Sequence, residues 1–392
     1  MGLSGNQKEL IHQLQNESSF MGRYTNLNCV NVIGGKRRGV LSLVFQGHDS
    51  VRDCLVAIKV MDPDRLSNAY RIKAFEREPD LLQALEGRNR CLQLISGLEH
   101  YIWEINHQGV EEPLKFQCGF FVVEWLEEDV DEYFYEQDKH EGPVKLEIFR
   151  NILLAVEAIH HAKIFHRDIK VDNIRVKSTD DSSVAVLIDF GTATHFDGAP
   201  LESSYSGPVG APAYSPPEAF VGFSGDRDVG RLSDSYALGA LLFNLFNHRE
   251  FRNVQKHETR FEQLLLSMQS QLATESSLDN KRRKWQQHIR KFRNLPVTPE
   301  IAGPGNTLPP SISQIIKRAY SGLINFDFLE RTDNLSITRR HIDTAVRVLR
   351  NQKRQEIDLR RKRDIRKRRQ EKIRQKQKRI DMFNSQPRVN HA

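Results

Sequence analysis

Eight consecutive residues, His166-Arg167-Asp168-Ile169-Lys170-Val171-Asp172-Asn173, set a carboxylate, a cation and an amide at short fixed intervals. Sixteen positions after Asn173 comes Asp189-Phe190-Gly191. Phosphoryl transfer asks a protein mainly for positioning and charge neutralisation, and these residue types supply both. Asp168 is the candidate for orienting an attacking hydroxyl. Lys170, two places on, can meet the transferring phosphate. Asn173 and Asp189 offer hard oxygen ligands of the kind magnesium takes while keeping its own waters. A lone Asp is more often a helix cap or a surface charge; the reading rests on the whole set.

A second cation is needed for the remaining phosphates. Val56-Ala57-Ile58-Lys59 ends a strand-like run on a lysine, and Glu78 follows nineteen residues later beside Pro79. A strand lysine is a mobile point charge unless a carboxylate fixes it. Glu76 is the rival partner. Glu78 is preferred because the residues after it, Leu81, Leu82 and Leu85, have the hydrophobic phase of a packed helix. Taken alone, the pair would read as an ordinary surface salt bridge. Ile33-Gly34-Gly35-Lys36-Arg37-Arg38-Gly39 places Gly34 and Gly39 at the outer positions of G-x-G-x-x-G, with Lys36 where the middle glycine belongs. Alone it would be a plain hairpin; its place before the Lys59 strand makes it a candidate phosphate cover.

The surrounding pattern says what positions these groups. Residues 1–21 read as a polar leader. From Tyr24 to Leu126 the apolar runs are short, β-branched-rich and bounded by turn residues, with one helix expected over about Ala69 to Leu85. Beyond Leu126 the period becomes helical: Leu146 to Ala162 presents one apolar face, and Leu232 to Phe246 is apolar all round. Residues 252–310 are polar, hold a basic helix candidate over Lys281 to Arg293 and end in Pro309-Pro310, so they read as an insertion. Ile312 to Arg350 is helical again. Residues 351–380 hold fifteen Lys or Arg against four Asp or Glu. Their balance of +11, set against +7 for the chain, leaves about −4 for everything else, so the basicity belongs to a tail. Ile357, Ile365, Ile373 and Ile380 drift round that helix instead of forming a heptad seam.

The 392 residues, 39% of them hydrophobic, allow a sizeable core. No run of eighteen apolar residues predicts a bilayer span. The start of the sequence lacks the apolar segment of a signal peptide. Asn6 stands where a myristoylation signal beginning at Gly2 would have Ser or Thr. Cys29, Cys54, Cys91 and Cys118 are scattered, which suits free thiols and a cytoplasmic location.

Taken in order, these elements resemble a eukaryotic-type protein kinase of the serine/threonine class, from about Tyr24 to Arg350 without the insertion. The matching set continues through Pro216-Pro217-Glu218, Asp234 before Leu238-Gly239, and a late Arg331. The resemblance implies an α+β bilobal fold. A small β-rich N-lobe with one helix would span 22–126 and a larger helical C-lobe 127–350, followed by a basic helical tail over 351–392. ATP would lie between the lobes, against Gly34, Gly39, Ala57, Lys59, Val123, Glu124 and Leu126, with Glu124-Trp125-Leu126 as the hinge. Mg2+, or Mn2+ in its place, would sit on Asn173 and Asp189. Asp168 and Lys170 would act on the substrate hydroxyl and the γ-phosphate, Glu78 would orient Lys59, and His166, Phe190 and Gly191 would be structural. Glu218 would pair with Arg331 and brace the substrate side, while Asp234 anchors the catalytic loop. Lys170 favours Ser/Thr over Tyr substrates. Two alternatives stay open: a pseudokinase-type scaffold, and a small-molecule phosphotransferase, a class that usually lacks the Pro-Glu element.

Three positions depart from the resemblance. Ala211 stands where Thr is usual, Arg175 where the apolar floor under adenine is usual, and Lys36 where the middle glycine is usual. Arg167 implies pairing with a phosphate on the segment before Glu218, and autophosphorylation is expected within Ser203, Ser204, Tyr205 and Ser206. A protein substrate is expected as partner. The tail suits an acidic partner, nucleic acid or an anionic membrane, and without aromatic residues it does not support base stacking.

Overall fold

The structure, a computed structural model, describes residues 2–34, 36–37, 42–105, 112–136, 139–179, 182–196, 208–224, 226–247, 249–275, 277–292, 296–301 and 308–384. Gly39 and the four expected phosphosites Ser203, Ser204, Tyr205 and Ser206 lie outside the described residues. Contacts divide the chain into Met1–Ile342 and Asp343–Ala392.

The first lobe begins earlier than the sequence suggested. Residues 1–21, expected as a polar leader, contain helix α1 (Gly5–Asn16). Ser4 and Gln7 form a reciprocal capping box, each side chain accepting from the other's backbone N–H at 3.1 Å. Leu10 and Leu14, one turn apart, are fully buried beside Phe20 in the core of this lobe. A few apolar positions among polar ones suffice here, because the strands below complete the core.

Those strands are β1 (Tyr24–Cys29), the short hairpin of β2 (Val32–Ile33) and β3 (Lys36–Arg37), β4 (Ser42–Asp49), β5 (Cys54–Met61), β6 (Leu94–Ile105) and β7 (Leu114–Glu124). Five of them form an antiparallel sheet in the order β1-β4-β5-β7-β6. Its inner face packs Phe45, Ile58, Trp103 and Phe120 into the core shared with α1. Helix α2 (Ala69–Gln83) has its N-terminus capped by Asn68, which accepts from Arg71 N–H. It turns Phe75, Glu78, Leu81 and Leu82 inward. Lys59 lies on β5, opposite Val44 of β4 and Phe121 of β7, so the lysine stands mid-sheet.

The second lobe is mainly helical. It contains β8 (Glu128–Asp129), α3 (Asp131–Tyr135), α4 (Gly142–His161), β9 (Ile164–Phe165), the antiparallel pair β10 (Ile174–Thr179) and β11 (Ser182–Leu187), and β12 (Thr194–His195). After α5 (Arg227–Gly230), helix α6 (Leu232–Asn247) is buried from Asp234 to Leu245 without a break, as its uniformly apolar sequence requires. The 252–310 stretch, expected as an insertion, packs into this core. It carries α7 (Phe251–Glu258), α8 (Phe261–Leu272) and α9 (Leu278–Ile289). Phe261, Leu264, Met268 and Trp285 pack with Phe223, Phe326 and Phe328. Its polarity misled because Arg252 and Gln255 are buried through hydrogen bonds. Helix α10 (Pro310–Leu323) follows, and α11 (Leu335–Asn384) continues into the basic segment, where residues 351–376 are all exposed. Among the described residues no helix is long and apolar enough to cross a membrane.

Candidate active site

A cleft of about 790 Å³ opens below the sheet. Ala57, Lys59, Val123, Glu124 and Leu126 line its upper part, and Lys170, Asn173, Arg175 and Asp189 its lower part. Trp125 of the expected hinge also faces it, as do Leu92 and Asp129, which the sequence did not single out. Gly34 turns the β2–β3 hairpin at φ +57°, a backbone region that glycine enters without strain.

At the upper end Lys59 Nζ bridges two carboxylates, lying 2.7 Å from Glu78 Oε1 and 3.1 Å from Asp189 Oδ1. Glu78, not Glu76, is therefore the partner. Glu78 Oε1 also accepts from the N–H of Phe190 at 2.9 Å, which ties α2 to the segment carrying Asp189. Among the described residues its Oε2 has no hydrogen-bond partner, and burial pushes the Glu78 carboxyl up against the pull of Lys59. Burial alone would discharge Lys59, but the charges of Asp189 and Glu78 outweigh it and hold the ammonium above its ordinary value. Asp189 feels the reverse: burial raises its carboxyl, and Lys59 brings it below the usual carboxylate range.

At the lower end Asp168 is held differently. Its Oδ1 accepts from the Ala211 N–H at 2.6 Å, and its Oδ2 accepts from Asn173 Nδ2 at 3.0 Å, with Lys170 Nζ 3.1 Å away. Asn173 Nδ2 also donates to the Asp168 carbonyl at 2.8 Å. Ala211 thus lacks a hydroxyl but still holds Asp168 through its backbone. Gly210 makes this approach possible. It sits at φ +82°, and a Cβ there would lie 2.3 Å from the Arg167 carbonyl oxygen and 2.9 Å from Asp168 Oδ1. No side-chain chemistry in the sequence marked Gly210.

Asp234 braces the loop from below. It is fully buried and accepts from the N–H groups of His166 and Arg167 at 2.9 and 2.8 Å, with His160 Nε2 at 2.8 Å. Arg167 is thereby held at φ +65°, a strained conformation for a side-chain-bearing residue, and Asp189 is held at +64°. Phe190 is buried with its ring 4.9 Å from that of His166. Gly191 follows it, buried in the same segment. Glu218 and Arg331 form a buried bidentate pair over Tyr236.

Arg175 lies on β10 at the cleft wall, with Nη1 donating to the Ile174 carbonyl at 3.0 Å. Glu124 is tied by side chain and backbone: Oε1 accepts from Gln93 N–H at 3.0 Å, Lys177 pairs with Oε2, and its own N–H donates to the Gln93 carbonyl at 3.0 Å.

The family described as "Protein kinase domain" matches residues 30–333, most of the chain. The chain belongs to this family. It is 28% identical over 232 residues to a calcium/calmodulin-dependent protein kinase kinase of Caenorhabditis elegans, covering 54% of this chain and 39% of that protein. Against the serine/threonine-protein kinase PrkC of Bacillus subtilis it is 29% identical over 229 residues, 58% of this chain and 31% of the relative. Against the mouse serine/threonine-protein kinase 33 it is 26% identical over 243 residues, 57% and 45% of the two chains. The chain thus spans less than half the length of these curated relatives. The protein kinase family uses ATP and a divalent metal, and the kinase fold accounts for both ends of the cleft.

Proposed function

We propose that the protein is an ATP-dependent serine/threonine protein kinase acting on protein hydroxyls. The observation that carries this reading is the complete set of charged groups around one cleft: Lys59 between Glu78 and Asp189 above, Asp168 with Lys170 below. A pseudokinase scaffold would need neither end. The Glu218–Arg331 brace beside the loop favours a protein substrate over a small metabolite.

In the proposed reaction a substrate hydroxyl attacks the γ-phosphorus, its proton passes toward Asp168, and the bond to ADP breaks. Lys170 neutralises charge on the transferring group, while Lys59 holds the other phosphates. Since the Glu124 N–H is already bonded to Gln93, adenine pairing falls to the remaining backbone groups of Glu124, Trp125 and Leu126. Val123, buried at the end of β7, would back the pocket. Asn173 and Asp189 fit a magnesium ion. The Asn173 amide nitrogen is committed to Asp168, which leaves its oxygen for the metal, and Asp189 has one oxygen beyond Lys59. Bound there, the metal would neutralise phosphate charge.

Autophosphorylation within Ser203, Ser204, Tyr205 and Ser206 belongs to the same proposal. Burial pushes the Arg167 guanidinium down, and it pushes Arg77 down to about 10 with help from the charge of Arg167. A phosphate brought to these two cations would relieve both. For the basic tail we favour nucleic acid phosphates, because its charges lie on every side and leave no apolar face to enter a bilayer. The free thiols of Cys29, Cys54, Cys91 and Cys118 support a cytoplasmic location. The test is labelled-ATP transfer to the protein itself and to a generic basic protein, wild type against Asp168→Ala. Transfer by wild type alone supports the reading; equal signals would overturn it.

A further inference from the structure

The loop that holds Asp168 is itself held from a side the sequence did not mark. Arg252, near the start of α7, is buried. Its guanidinium donates to the Pro212 carbonyl through Nε at 3.2 Å and Nη2 at 3.0 Å, and Nη2 also donates to the Ser215 carbonyl. Nη1 donates to Gln255 Oε1 at 2.7 Å, and Gln255 in turn donates to Tyr236 OH at 2.9 Å. The rings of Phe220 and Phe261 lie 4.9 and 4.8 Å from the guanidinium carbon.

This is an unusual use of a buried cation. Among the described residues no carboxylate forms an ion pair with Arg252, and burial pushes its guanidinium down against the weaker pull of Glu262 and Glu250. Burying an unpaired charge is unfavourable unless its hydrogen bonds are met, and here two loop carbonyls meet most of them. A second clamp acts beside it: Asn244 Nδ2 donates to Tyr214 OH at 3.1 Å, while Asn244 Oδ1 accepts from Phe251 N–H at 2.9 Å. Within the loop, Ser215 Oγ donates to the Ala211 carbonyl at 2.9 Å. The next contact is the Ala211 N–H on Asp168. A side-chain hydroxyl at 211 would rotate to find Asp168. A backbone N–H has no such freedom, so it points correctly only if the loop backbone is fixed from elsewhere.

We propose that Arg252 is a positioning residue for Asp168, fixing the 211–215 backbone so that the Ala211 N–H holds the carboxylate. This rests on the kinase reading of the site. The test measures kcat, KM and nucleotide affinity for Arg252→Met, for Ala211→Thr, and for the double variant. For Arg252→Met the expected kcat falls about 10–100-fold, as small misplacements of reacting groups do. Nucleotide affinity stays within about two-fold, since Lys59 and the hinge are untouched. Ala211→Thr adds a hydroxyl that can reach Asp168, so in the Arg252→Met background it recovers about three-fold or more, a larger gain than the same substitution gives in the wild-type background.

A folded Arg252→Met protein with wild-type kcat overturns the proposal. So does equal loss of nucleotide affinity and kcat, or an Ala211→Thr effect that is the same in both backgrounds. If Arg252→Met does not fold, Arg252→Lys carries the test at smaller amplitude, because lysine keeps the charge and loses the fork. Its kcat should fall by about three-fold and be restored by Ala211→Thr; wild-type kcat in Arg252→Lys overturns the proposal. Absence of transfer by wild type would instead count against the kinase reading.

Discussion

The two ends of the cleft are built on different physics. Above, Lys59 is fixed by charge: two carboxylates close on one ammonium, in a site where burial alone would discharge it. Below, Asp168 is fixed by neutral hydrogen bonds and backbone shape, through the Ala211 N–H, the Asn173 side-chain amide and the tight turn at Gly210, with Lys170 as a cationic neighbour. The upper end should tolerate small backbone shifts and fail when charge is removed. The lower end should fail whenever the backbone around Asp168 moves, even with every charge in place.

Removing the charge above gives the largest expected change. Lys59→Met leaves Glu78 and Asp189 facing each other without a cation. Transfer should fall by about 10²–10³-fold, the scale of losing one preorganised electrostatic group, with KM for ATP raised. Unchanged nucleotide affinity in a steady-state and binding comparison would break the charge account of this end. Next in size is Gly210→Ala. The new Cβ meets the Arg167 carbonyl oxygen, so the loop must shift and transfer should fall about 100-fold while nucleotide binding persists. Loss of both together would mean that the two ends are not separable. Smallest in its effect on turnover is Leu10→Ala, in the core of the first lobe. It should lower unfolding stability by about 2–5 kcal/mol in a denaturation experiment, with kcat per folded molecule little changed. A kcat collapse there would show that general loosening mimics the other two variants.

How much of this was readable beforehand follows the same division. The polar and charged groups were legible, because residue type and spacing carry their chemistry: Lys59, Glu78, Asp168, Lys170, Asn173 and Asp189 all meet at the cleft or its rim. The groups that act through shape were not. Gly210 matters for its φ and for the absence of a Cβ, neither of which has a chemical signature. Arg252 and Gln255 sat in a stretch whose polarity suggested solvent, although their partners are loop carbonyls and a buried hydroxyl. Helix α1 was hidden because Leu10 and Leu14 complete a core that other strands supply. The packing of 252–310 was hidden for the same reason: Trp285 and Phe261 are few among charged neighbours, yet they pack against Phe326 and Phe328.

The most direct measurement is single-turnover transfer from saturating labelled ATP in Asp168→Asn, with nucleotide affinity determined on the same preparation. The account predicts a loss of transfer of about 10²–10⁴-fold, the scale of a positioned acid–base group, with ATP affinity close to wild type. Transfer at the wild-type rate, or loss of nucleotide binding in step with transfer, would contradict it.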